Sequence, residues 1–129
     1  MRPVLLVSGL RRTALVTSAL LAALLLGGCT PPGKGPKAER GYRRSAPVIA
    51  ALERYRAQRG AYPDSLPALV PGFLPDGALR VPDREQERYP LEYRRAADGY
   101  ELTFRYVGPG MNSCTYTPAP ARWDCSGHF

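Results

Sequence analysis

Apolar and polar positions change rhythm several times along the chain. Residues 13–26 form a run of 14 with no charge in it, preceded by Arg2, Arg11 and Arg12. Residues 30–41 are rich in Pro, Gly, Lys and Arg without apolar periodicity, which predicts a disordered tether. A helical period then appears: Val48, Ile49, Leu52 and Tyr55 make one stripe, with Glu53, Arg54, Arg56 and Arg59 elsewhere on the wheel. Ser45 or Ala46 followed by Pro47 reads as the start, because the N–H that proline lacks is unpaired in a first turn anyway. Gly60 reads as the stop, so the pattern predicts a helix of about 13 residues.

Four prolines within residues 61–78 rule out a long helix or a central strand there. Asp64 or Ser65 caps at most one helical turn, and Leu66, Leu69, Val70, Phe73 and Leu74 are expected to fold over the helix. After a charged stretch at 82–88 the period falls to two. Tyr89, Leu91 and Tyr93 share one face, and Tyr100, Leu102, Phe104 and Tyr106 share the next, with Asp98-Gly99 between them as a turn. Glu101, Thr103 and Arg105 fall on the opposite, solvent side. Gly108-Pro109-Gly110 makes a second turn, and Cys114, Tyr116 and residues 123–125 suggest a further strand pair. The fold class predicted is α+β, one N-terminal helix packed on a small antiparallel sheet.

Charge changes the picture only when it is divided along the chain. The formal +7 comprises +3 in the leader, +4 in residues 29–44 and zero in residues 45–129, where ten arginines meet ten acids. A neutral folded part lacks the electrostatic footprint of phosphate-backbone binding, so nucleic acid is not expected as a partner.

The ending Leu26-Gly27-Gly28-Cys29 after a charged and then apolar leader resembles a bacterial lipoprotein signal with its lipobox. A run of 14 residues spans about 21 Å as a helix, short of the ~30 Å hydrocarbon core, which disfavours a transmembrane anchor. The resemblance implies removal of residues 1–28, lipidation of Cys29, a lipidated tether over 29–44 and one folded domain over 45–129. Thr30 in place of an aspartate implies the outer membrane, facing the periplasm. The Arg11-Arg12 pair is explained more simply by a charged leader than by a twin-arginine signal. With Cys29 taken by lipid, Cys114 and Cys125 are the pair left to form a disulfide in an oxidising compartment. Closing so short a loop stabilises by roughly 2.5–3 kcal/mol in the chain-entropy model.

The order of helix, Leu52-x-x-Tyr55, Gly60-x-Tyr62-Pro63-x-x-Leu66-x-x-Leu69 and hairpin strands resembles the soluble part of type II secretion pseudopilins, over residues 46–106. That resemblance implies a pseudopilin-like fold on a lipid anchor, accessory to a secretion or envelope assembly. Pseudopilins keep an apolar N-terminal helix and polymerise through it, whereas cleavage before Cys29 would remove this chain's apolar segment. The family's calcium site is not recognisable, since Asp98 sits in a tight turn and Asp124 adjoins Cys125.

Residues that could carry chemistry are sparse. His128 is the single histidine, no Gly-x-Ser-x-Gly elbow occurs, and Gly108-Pro109-Gly110 lacks the lysine and helix of a phosphate loop. Glu85 and Glu87 alternate with Arg84 and Arg88 as a solvated stretch does. The expectation is a non-enzyme without metal or cofactor. Most sheet tyrosines are expected in the core, and the disulfide-closed loop at 117–123 offers Arg122 and Trp123, residue types enriched in binding hot spots, to an envelope protein partner. Two function classes remain: a membrane-anchored structural or interaction lipoprotein, and, alternatively, a small-ligand-binding lipoprotein.

Overall fold

The computed structural model describes residues 30–80 and 89–128, apart from the side chain of His128. The leader, Leu26, Gly27, Gly28, Cys29 and the charged stretch at 81–88 lie outside the described residues. Helix α1 spans Pro36–Arg59, followed by a single 3-10 turn at Leu66–Leu69. Strands β1 (Glu92–Ala96), β2 (Gly99–Val107), β3 (Met111–Pro118) and β4 (Ala121–His128) form an antiparallel meander in the order β1-β2-β3-β4. The chain is thus α+β, with one helix on one face of a four-stranded sheet.

The alternation in β2 puts Tyr100, Leu102, Phe104 and Tyr106 on the buried face, as their period of two requires. Register carries that face onto Asn112, Cys114 and Tyr116 in β3 and onto Trp123 and Cys125 in β4. The opposite face is polar. Arg94 pairs with Glu101 at 2.7 Å, Arg105 with Glu92 at 3.0 Å, and the Thr103 and Thr115 hydroxyls meet at 2.7 Å. Residues 61–74 fold over the helix as expected: Leu66, Leu69 and Leu74 are buried, and the Phe73 ring lies 5.1 Å from that of Tyr55.

The helix is 24 residues long, and it begins well before the Ser45-Ala46 start expected from its large apolar residues. Pro36 sits in its first turn, and Glu39 N–H donates to the Gly35 carbonyl at 3.0 Å. Residues 36–44 are therefore helix and not tether, which moves the domain boundary back from residue 45. The physical reason is that the first half buries small side chains that carry little hydropathy signal. Ala38 and Ser45 are fully buried, and Gly41 lies against the Phe104 ring so closely that a Cβ there would fall 2.2 Å from it. Pro47 lies inside the helix on its exposed side, where water can reach the Arg43 carbonyl that loses its partner. The stop falls where expected: Gly60, at φ +83°, donates its N–H to the Arg56 carbonyl at 2.8 Å.

One turn differs by a residue. Ala96 pairs with Gly99, so the hairpin loop is Ala97-Asp98 and not Asp98-Gly99. Neither loop residue takes a positive φ, and Gly99, whose backbone lies close to the Pro118 ring, belongs to the strand.

Candidate functional site

The two ends of α1 are tied to the sheet by different chemistry. At the C-terminal end, Glu53 accepts from the Tyr62 hydroxyl at 3.0 Å and from the Tyr100 hydroxyl at 3.3 Å, while Arg56 donates to the Tyr62 oxygen at 3.2 Å. Tyr93 donates to the Pro63 carbonyl at 2.6 Å, and Arg95 reaches Asp64 at 2.5 Å. The Gly60-x-Tyr62-Pro63 turn is thereby locked to β1 and β2. Burial raises the hydroxyl pKa of Tyr62 and Tyr100, and the Glu53 carboxylate adds to it. Tyr93 is pushed up to about 12, mainly by burial. These phenols stay protonated as donors, and the cluster reads as a structural lock.

The N-terminal end is a clasp on the disulfide. Cys114 and Cys125, paired across β3 and β4, are bonded to each other. Residues 30–35, expected as tether, fold over this bridge. The Gly33 N–H donates to the Tyr106 hydroxyl at 2.8 Å, and the Tyr42 hydroxyl donates to the Gly33 carbonyl at 3.0 Å. Both backbone polar groups of one buried residue are thus satisfied by tyrosines from β2 and α1. The Tyr42 oxygen also lies 3.2 Å from the sulfur of Cys125; a disulfide sulfur can only accept, and the one phenolic proton goes to the Gly33 carbonyl, so this is a packing contact. Burial raises the Tyr42 pKa, with smaller contributions from Tyr106 and Glu39, and so keeps the donating proton in place.

Gly33 is required twice over. Its φ is +80°, and a Cβ would come 2.7 Å from the Cys125 sulfur and 2.9 Å from the Tyr42 oxygen. Around it the Tyr42 ring meets Phe104 at 5.2 Å and Trp123 at 5.1 Å, both edge-on, so the aromatic cluster spans α1, β2 and β4.

Beside the clasp lies an open hollow of about 420 Å³, walled by Thr30, Pro36, Tyr106 and Pro109 together with the cationic residues Lys34, Lys37 and Arg40. The Lys37 ammonium donates to the Val107 carbonyl at 2.5 Å, joining the start of the helix to the β2–β3 turn. Glu39 is the single acid among residues 30–44.

The residues singled out for partner binding separate. Trp123 faces inward, half-buried, against Tyr42, Phe104 and Tyr116. Arg122 is exposed and paired with Thr117 on the polar face. Adjacent strand residues point to opposite faces, so the two cannot act as one neighbouring pair. The expected loop is also tighter than 117–123, since Pro118 pairs with Ala121 around Ala119-Pro120. Sequence reasoning did not single out Gly33 or Tyr42, because their role depends on residues 73 and 83 positions away.

Among the described residues no group of three or more His, Cys, Asp or Glu could hold a metal ion, and no helix is long and apolar enough to cross a membrane. Compared with known protein families, curated proteins and solved structures, the chain shows no match in any of the three.

Proposed function

We propose that this chain is a lipid-anchored protein of the bacterial cell envelope whose pseudopilin-like domain performs structural or docking work for an envelope or secretion assembly, and that it is not an enzyme. The observation that carries the reading is the Leu26-Gly27-Gly28-Cys29 ending after a charged, then apolar leader. The element order of helix, Gly-x-Tyr-Pro turn and antiparallel hairpins supports the pseudopilin likeness. The membrane would be the outer one, with the domain facing the periplasm. Loss of the apolar segment on cleavage argues against entry into a filament by the pseudopilin route.

The ligand-binding alternative has less support. Tyr100 and Tyr106 are buried against other rings, and the hollows they help to line are open to solvent. For docking, the exposed Arg122 is the remaining candidate, because Trp123 already packs on the clasp. Fractionation tests the anchor. The native protein should sediment with envelopes, and Cys29→Ser should either release it or stall it as a precursor. A Cys29→Ser protein that matures and fractionates like the native one contradicts the reading. Affinity capture from detergent-solubilised envelopes tests docking: Arg122→Ala should lose a protein that the native chain retains, with an unchanged melting temperature.

A further inference from the structure

We infer that the clasp end of the domain is a membrane-seating face, held down on anionic lipid headgroups by Lys34, Lys37 and Arg40, with the opposite end turned outward. This rests on the lipid-anchor reading above, because the anchor fixes which end is near the bilayer.

A flexible tether of 16 residues would let the domain tumble and would leave its charges unplaced. The clasp removes that freedom. Gly33 is held between Tyr106 and Tyr42, which fixes Thr30, the residue next to the cysteine proposed to carry the lipid, at this end of the fold. Thr30 itself lines the hollow that Lys34, Lys37, Arg40 and Pro109 surround. Exit point, cations and an apolar turn therefore share one end of the molecule.

Charge complementarity selects the occupant. Residues 29–44 hold all of the chain's positive excess outside the leader, while residues 45–129 are neutral. An anionic leaflet attracts each basic residue held near it, and the attraction fades within a Debye length, so cations pinned beside the anchor act where dispersed ones would not.

Orientation follows from the meander. The β2–β3 turn at 108–110 lies at the anchored end, where Lys37 meets Val107 and Gly108. The Ala97-Asp98 and Ala119-Pro120 turns lie at the other, where Gly99 touches Pro118. The 24-residue helix between them spans about 36 Å. Arg122, next to the outer turn, is then presented to the periplasm and away from the lipid.

Hydrogen exchange of the full lipidated protein tests this, in vesicles of phosphatidylcholine alone and of phosphatidylcholine with phosphatidylglycerol. The expected result is exchange slowed about tenfold in the phosphatidylglycerol vesicles at the amides of Thr30, Gly33, Lys34, Gly35, Gly108 and Gly110, with those of Ala97, Asp98, Ala119 and Ala121 unchanged. Lys34→Gln/Arg40→Gln should abolish the slowing while leaving the chain folded by circular dichroism and its flotation with vesicles intact. Equal exchange in both vesicles, slowing at the outer turns, or slowing that survives the double variant overturns the seating face. Slowing in native envelope fragments but in neither vesicle assigns the face to a protein partner and overturns it too. Failure to float with either vesicle overturns the anchor reading, and the seating face with it.

Discussion

At the scale of single residues the fold depends on two glycines used for close approach. Gly41→Ala would gain about 1 kcal/mol of helix propensity but drive a methyl into the Phe104 ring, an overpacking cost of about 1–3 kcal/mol or more. Net destabilisation is expected, read as a lower urea midpoint with an unchanged slope. Trp123→Ala should cost about 2 kcal/mol, below the loss for a fully buried aromatic, whereas Arg122→Ala should leave the melting temperature within a degree or two. Neither glycine was legible beforehand. Their neighbours, Phe104 for Gly41 and Tyr42, Tyr106 and Cys125 for Gly33, are brought in by the fold, and a local window of sequence carries no trace of them.

Elements were legible in proportion to the size of the side chains they bury. The run from Tyr100 to Tyr106 alternates large apolar and polar residues, so its face and strand identity could be read directly. The second half of α1 was equally plain, since Val48 and Leu52 are large and buried. The first half buries Ala38, Gly41 and Ser45, and there hydropathy reports a tether where packing makes a helix. Element contacts also set the pH response. Tyr42, Tyr62, Tyr93 and Tyr100 all have pKa values raised in the fold above the ordinary 10.0. The unfolded chain therefore loses these protons first, so the stability they lend is complete below about pH 10 and falls as pH rises through the folded values. Phenolate absorbance should show these tyrosines ionising late, together with cooperative unfolding. Ionisation of all eight tyrosines near pH 10 in a still-folded chain would contradict it. Reducing the bond between Cys114 and Cys125 should lower the melting temperature by on the order of 10 °C, and loosen residues 30–35 with it.

At the scale of the whole molecule, the α+β layout came from periodicity, and the disulfide from setting aside the cysteine assigned to lipid. What the sequence hid is that the segment after Cys29 belongs to the fold. That turns an expected charged tether into one end of the folded domain, with Lys34, Lys37 and Arg40 around the hollow that Thr30 lines, beside the proposed point of attachment. The central claim is that this attachment is a lipid on Cys29, and mass spectrometry of the mature N-terminal peptide tests it most directly. The result expected is a peptide that begins at Cys29 and carries the mass of fatty acyl chains. An unmodified Cys29, or a peptide still joined to residues 1–28, would contradict it.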